Sequence, residues 1–355
     1  ALGAVLAASA MTFALGAPAT SAVTATGAPT LLSVQGSALS PDAAATWVTS
    51  RGGEVLAVYD VADALLVSLP AGVTPPAGTV RVADVPMQMT AAPTATAASD
   101  VKGATYRATI GAPSTATGSG VTVAVVDTGV ADVADLAGRL THVNVSGGAA
   151  GDGLGHGTFM AGLVAGDGSS SGGTYTGVAP SARILDVQVA TPDGSTSLSR
   201  VLAGLQAVAD AAKADPSVRV VSLALSTGDP LPPSADPLSR ALDRLWAKGL
   251  TVVVSAGNDG PADGTVTSPG ADPTLITVGA LDEHGTSARG DDTVATFSAR
   301  GTEFGASKPD LVAPGVSLVS TRAAGSTADV ENPAARVGEA YFTGSGTAMS
   351  EAITA

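Results

Sequence analysis

Gly120-Val121-Thr122-Val123-Ala124-Val125-Val126-Asp127-Thr128-Gly129 is the stretch whose reading decides the fold. Val121 to Val126 is an unbroken run of apolar and β-branched residues, and it ends in an acid followed by a glycine turn. A strand with no polar alternation is buried on both faces, as in a parallel sheet covered by helices. Outward from it the same pattern recurs. Arg183 to Val189, Val218 to Leu225, Thr251 to Ser255 and Leu275 to Val278 read as further strands. Ser197 to Ala214 and Asp236 to Lys248 read as amphipathic helices between them, and Phe159 to Ala165 as a helical run. This alternation predicts an α/β fold with a doubly wound, mostly parallel sheet. No internal repeat is present.

Upstream the pattern is different. Residues 29–90 predict a small α+β unit, with strands over Thr30 to Gly36, Glu54 to Tyr59, Ala64 to Leu69 and Val80 to Val85. Ser40-Pro41-Asp42 supplies an N-cap, a first-turn proline and a first-turn acid for one helix, which Gly52-Gly53 stops. A unit of about 60 residues is marginal on its own. Ala91 to Ala98 (AAPTATAA) has no periodicity, so residues 91–105 read as a linker and processing region. Ala1 to Ala17 is an uncharged apolar run followed by Pro18-Ala19-Thr20-Ser21-Ala22. That order is a secretory core and cleavage region without its Met and basic start, so residues 1–22 read as a signal-peptide remnant and the location as extracellular.

The chain has 355 residues, a net charge of −14, 3% aromatic residues and no cysteine. The acidic balance excludes non-specific binding to nucleic acid, which needs a basic face. The absence of cysteine excludes a disulfide scaffold, a thiolate metal site and a thiol nucleophile.

Three positions can carry chemistry. Asp127 ends its strand, where open α/β sheets place reactive groups, and can orient a histidine or simply cap the next helix. Asp127-Thr128-Gly129 also matches half of an aspartic-protease dyad, but no second such triplet exists in the chain. His156 lies in Gly155-His156-Gly157-Thr158. Flanking glycines let the backbone approach closely and leave the imidazole uncrowded, although a lone histidine is more often structural. Asn258, in Ser255-Ala256-Gly257-Asn258, can donate its amide to a developing oxyanion or serve as a turn residue.

Together these segments resemble the subtilisin-like serine peptidases (subtilases) over roughly residues 100–355. The motifs are Val125-Val126-Asp127-Thr128-Gly129, Gly155-His156-Gly157-Thr158 and Ala256-Gly257-Asn258. Gly177-Val178-Ala179-Pro180, Phe297-Ser298-Ala299-Arg300-Gly301 and Lys308-Pro309-Asp310-Leu311-Val312-Ala313-Pro314-Gly315 also match, in the family's order. The resemblance implies a peptidase domain over 106–355, C-terminally truncated, preceded by a ferredoxin-like propeptide that chaperones and inhibits in cis. Asp127, His156 and a serine would form the triad, with Asn258 in the oxyanion hole.

The sequence departs from the family at the nucleophile. Gly344-Ser345-Gly346-Thr347-Ala348-Met349-Ser350-Glu351 places Ala348 where the family has serine. A methyl group cannot attack a carbonyl, so the acyl-enzyme route is closed there. Ser345 reads as a loop residue, and Ser350 lies two helical positions on, about 200° around the helix. Neither is expected to substitute.

Val220 to Ser226 resembles the family's substrate-lining strand, so Leu223, Ala224, Leu225, Ser226, Ala256 and Gly257 are expected to bind substrate. Asn144-Val145-Ser146 fits a glycosylation sequon, expected to be unused, and Gly166 to Gly177 reads as a flexible loop. No cofactor is required by this chemistry. Structural Ca²⁺ is common in the family, but no ligand loop is legible. The expected partners are a polypeptide substrate and the propeptide, in a monomer with no nucleic acid and no visible membrane anchor. The rival reading is a non-catalytic pseudopeptidase that binds peptides or protein partners in the retained cleft.

Overall fold

The computed structural model describes residues 27–90, 105–228, 235–303 and 305–355. The expected signal-peptide remnant (1–22) and residues 91–104 of the expected linker lie outside them.

The N-terminal unit follows the order read from the sequence: β1 (Thr30–Ser33), α1 (Pro41–Ser50), β2 (Glu54–Tyr59), β3 (Ala64–Ser68) and β4 (Val80–Ala83). The Ser40 hydroxyl accepts from the Ala43 N–H and caps α1 as its sequence predicts. The strands form an antiparallel sheet in the order β2-β3-β1-β4, the ferredoxin-like order. Among the described residues the unit supplies one α-helix of its own to this sheet. Leu69 to Thr79 carries Pro70, Gly72, Pro75, Pro76 and Gly78, which cannot sustain a second helix. Alternation along β1 sends Leu32 toward α1 with Val48, Leu65 and Val67, and sends Leu31 to the opposite face.

A further strand, β5 (Pro86–Met89), leaves this sheet and joins others. Beyond it come α2 (Tyr106–Thr109), β6 (Thr122–Asp127), β7 (Leu140–Asn144), α3 (His156–Ala165) and β8 (Arg183–Gln188). Then follow β9 (Thr196–Ser197), α4 (Leu198–Ala214), β10 (Val218–Leu223), β11 (Leu225–Ser226), α5 (Pro237–Ala247) and β12 (Thr251–Ser255). The chain continues through β13 (Ile276–Asp282), β14 (Thr293–Val294), β15 (Leu311–Pro314), β16 (Leu318–Thr321) and α6 (Thr327–Glu331). It ends in β17 (Arg336–Val337), β18 (Tyr341–Gly344) and α7 (Thr347–Thr354).

The main sheet runs β7-β8-β6-β10-β12-β13, with β15 added to β13. All these pairs are parallel, and only β14 joins antiparallel. Alternation along β6 shows why it is doubly wound. Ala124 and Val126 enter a cluster with Leu202 and Leu205 of α4 and Leu242 and Leu245 of α5. Val123 and Val125 enter another with Phe159 and Leu163 of α3 and Met349 and Ile353 of α7. Each fully buried Val or Leu contributes about 1.5–3 kcal/mol, so an acid at position 125 would abolish one face of the core.

The N-terminal unit completes the α4–α5 face. Leu31, Val61, Ala62 and Ala64 share one apolar cluster with Leu202, Leu238 and Leu242. Asp63 accepts from Arg240 Nη2 at 2.8 Å and from Arg244 Nη2 at 2.6 Å. Asp84 caps α4, accepting from the Ser199 N–H at 2.8 Å and the Ser199 hydroxyl at 2.7 Å.

Two expectations change. The strand expected over Val218 to Leu225 breaks at Ala224, because β10 pairs within the main sheet while Leu225–Ser226 pairs with β5. The loop over Gly166 to Gly177, expected to be flexible, is pinned instead. The Gly177 N–H donates to the Gly166 carbonyl at 2.8 Å, and Asp135 accepts from the Ser170 N–H at 2.9 Å.

Candidate active site

Asp127 closes β6 and is 1% exposed. His156 is the first residue of α3, which starts three residues before the expected helical run. Its Nδ1 lies 2.8 Å from Asp127 Oδ1 and 2.9 Å from Oδ2. The approach needs glycine at position 157: a Cβ there would sit 2.1 Å from the Gly129 carbonyl oxygen. Burial works against the His156 imidazolium, but the Asp127 charge and hydrogen bond outweigh it and raise the pKa above the ordinary histidine value. The opposite ring nitrogen, Nε2, is buried and has no hydrogen-bond partner among the described residues.

Asp152, missed in the sequence, ties the two motifs together. It is buried and accepts from Thr128 Oγ1 (2.8 Å), the Gly155 N–H (2.7 Å), the Thr158 N–H (2.8 Å) and Thr158 Oγ1 (2.6 Å). Burial raises its pKa despite these donors. Its signal was an acid four residues before His156, hidden because Gly151-Asp152-Gly153 reads as a turn.

Asn258 follows β12 and is fixed by α7. Its Oδ1 accepts from the Thr347 N–H and the Thr347 hydroxyl, each at 3.0 Å. That leaves the Nδ2 group as a donor committed to no protein acceptor among the described residues. The Thr347 hydroxyl in turn accepts from the Gly257 N–H at 3.2 Å. Ala348, the second residue of α7, is fully buried.

The two serines nearest Ala348 in sequence are both buried. Ser345 Oγ accepts from the Ser317 N–H at 2.8 Å. Ser350 is buried and faces Gly315, where a Cβ would lie 2.2 Å from its Oγ. Glu351, also missed, is fully buried and accepts from the Ser222 hydroxyl at 2.9 Å. Burial first, and the nearby Asp127 charge in addition, lift its pKa well above the ordinary carboxylate value.

Of the residues expected to bind substrate, Leu225 and Ser226 pair with a strand of the chain itself. β5 lies between β11 and β9, antiparallel to both, with Met89 opposite Leu225, Gln88 opposite Ser226 and Met87 opposite Thr196. The next residue, Thr90, donates its N–H to the Ala224 carbonyl at 3.0 Å. Met87 and Thr90 are buried while Gln88 is exposed. Met87 shares an apolar cluster with Leu198, Leu223 and Leu225. Ala256 belongs to a small separate cluster with Val266 and Ala299. Backbone pairing of this kind accepts any extended peptide, while the alternate side chains meet pockets.

The Asn144 amide of the sequon is engaged locally, its Oδ1 accepting from the Ser146 N–H (2.9 Å) and its Nδ2 donating to the Gly148 carbonyl (3.0 Å). Among the described residues, no group of three or more His, Asp or Glu side chains is placed to hold a metal ion, and no helix is long and apolar enough to cross a membrane.

Residues 118–355 match the model of the subtilase family (peptidase S8). The chain is 43% identical over 251 residues to serine protease AprX of Bacillus subtilis strain 168, an alignment covering 68% of this chain and 56% of AprX. It is 35% identical over 213 residues to subtilisin Savinase of Lederbergia lenta, covering 58% of this chain and 67% of that protein. The chain thus spans little more than half the length of AprX (56%). The solved structure of sphericase superposes with a TM-score of 0.55 at 31% identity, over 67% of this chain and 75% of that one.

Proposed function

The chain belongs to the subtilase family, and on that premise we propose a secreted serine endopeptidase whose cleft holds its own N-terminal segment and whose nucleophile is missing in this copy. One observation carries the reading: buried His156 spends Nδ1 on Asp127 and has no partner at Nε2 among the described residues. A buried polar atom left unpaired costs about 1–3 kcal/mol, so such a nitrogen is normally kept for a task.

In the proposed chemistry a serine hydroxyl at position 348 attacks the scissile carbonyl. His156 takes its proton and returns it to the leaving amine, while Asp127 fixes the ring and stabilises the imidazolium. Asn258 Nδ2 and the backbone N–H at 348 stabilise the oxyanion. Leu223, Ala224, Leu225, Ser226, Ala256 and Gly257 form the wall against which the peptide lies. No cofactor enters this scheme. With Ala348 the first step has no nucleophile, and a loss of about 10⁶-fold in kcat is the scale expected.

Residues 27–90 are the proposed inhibitory propeptide. Its support is the position of β5 and Thr90 in the cleft and the Asp63 and Asp84 contacts to α5 and α4. Thr90 then occupies the P1 position, with Met89, Gln88 and Met87 at P2, P3 and P4, and Thr90–Ala91 is the processing bond.

A second reading, a peptide-binding pseudopeptidase, is favoured by Ala348 itself. A fluorophosphonate probe separates the two. The 355-residue chain should remain unlabelled, and Ala348→Ser should become labelled at residue 348. An Ala348→Ser protein that folds and stays unlabelled overturns the peptidase reading in favour of the second. Labelling of the unmodified protein would show that another serine acts.

A further inference from the structure

We propose that this cleft selects peptides with threonine immediately before the scissile bond, and that the Ser255 hydroxyl is the specificity-determining group. The proposal rests on the cleft reading above and deepens it.

Ser255 is the last residue of β12 and is 3% exposed; Thr90 is 7% exposed. Thr90 Oγ1 donates to the Ala224 carbonyl at 2.9 Å, the same oxygen that receives the Thr90 N–H. Thr90 Oγ1 also lies 2.5 Å from Ser255 Oγ. A hydroxyl has a single proton, and that of Thr90 is committed to Ala224. In this pair Ser255 is therefore the donor and Thr90 the acceptor. The two bonds fill the donor and one acceptor site of the threonine hydroxyl in a buried setting.

The balance discriminates between substrates. Valine has the shape of threonine but no hydroxyl, so it would bury the Ser255 O–H and the second lone pair of the Ala224 carbonyl against a methyl group. A site built to hydrogen-bond a substrate hydroxyl rejects the analogue lacking it, because the site's own groups are left unpaired. For one buried donor the expected discrimination is about 10- to 100-fold. Serine keeps the hydroxyl and loses only the methyl contact, so it should fall between the two.

The test uses the 355-residue chain carrying Ala348→Ser, with and without Ser255→Ala. Fluorogenic peptides Pro-Met-Gln-Met-X, with X as Thr, Ser or Val, are compared by kcat/KM. The Thr/Val ratio should be about 10–100 with Ser255 and collapse to within about threefold in Ser255→Ala. In cis, Thr90→Val should slow release of the N-terminal segment by a similar factor, and Ser255→Ala should remove that difference. A Thr/Val ratio within threefold while Ser255 is present, or a ratio that Ser255→Ala leaves unchanged, overturns the proposal. Failure of the cleft reading looks different: the Ala348→Ser protein then hydrolyses none of the peptides and releases no segment.

Discussion

His156 Nδ1 rests 2.8 Å and 2.9 Å from the two oxygens of Asp127, inside a motif pair that Asp152 clamps from behind. The pairing sets the charge of the ring. Because Asp127 raises the His156 pKa, a general base at this position needs a pH above the ordinary histidine value of about 6.5. In the Ala348→Ser protein, the acid limb of kcat/KM should therefore lie above that value. The same shift stabilises the fold below about pH 6.5, a contribution lost as pH rises through the folded-state pKa. Asp127→Asn should lower the His156 pKa, read by NMR titration, and cut kcat by about 10⁴ in the Ala348→Ser background. An unmoved titration would contradict the assignment.

On the proposed role of its amide at the oxyanion, Asn258→Ala, again with Ala348→Ser, should cost about 10²–10³ in kcat with little change in KM. Thr347→Val removes one of the two donors that hold Asn258 Oδ1 and should give a smaller loss of the same kind. A raised KM with kcat unchanged would mean that Asn258 binds the ground state.

The legibility of this site in the sequence was uneven, for physical reasons. Asp127 announces itself at the end of an unbroken apolar run, and His156 through the glycines on either side of it. Asn258 follows a strand of the same kind. β5 was invisible for the opposite reason: Pro86-Met87-Gln88-Met89 has little intrinsic strand propensity and exists as a strand through the edges that β9 and β11 offer it. The break at Ala224 has the same origin, since only the partner strand reveals that Leu225 and Ser226 belong elsewhere. Asp152 and Glu351 were missed because burial, which makes both unusual, is a tertiary property.

Asp186 gives a pH test independent of catalysis. It is buried against His142 Nδ1 at 2.8 Å, and burial pushes its pKa up to about 6 from 3.8. A raised acid favours the folded state below its unfolded pKa, and the effect is lost as pH rises through about 6. Asp186→Asn keeps an acceptor for His142 and removes the titration. Relative to the parent, it should gain up to about 3 kcal/mol at pH 7 and nothing near pH 4. Denaturant unfolding at both pH values checks this; a parallel offset at both would contradict it.

Lys308 is 5% exposed, and its ammonium donates to the Leu275 carbonyl at 2.8 Å and to Asp310 Oδ2 at 2.7 Å. Lys308→Met should leave both acceptors short of a donor and cost about 2–3 kcal/mol, seen as a fall in Tm of roughly 5–10 °C. An unchanged Tm would show that water replaces the ammonium without loss.

Asp63 receives both Arg240 and Arg244, half-exposed side chains of α5. Asp63→Ala should weaken docking of residues 27–90 by about 1–2 kcal/mol, after discounting for solvent. Hydrogen exchange in β1 to β4 should quicken by roughly 5- to 30-fold, while exchange in β6 stays the same. Uniform acceleration in both would indicate global destabilisation instead.

The most direct test of the central claim, that the proposed site lacks only its nucleophile, is the intact mass of the 355-residue chain before and after Ala348→Ser. The protein as written should stay whole. The variant should lose a fragment ending at Thr90 and show a new N-terminus at Ala91, and Asp127→Asn should suppress that cleavage. A folded Ala348→Ser protein that remains uncleaved, or a cleavage that also occurs with Ala348, would contradict it.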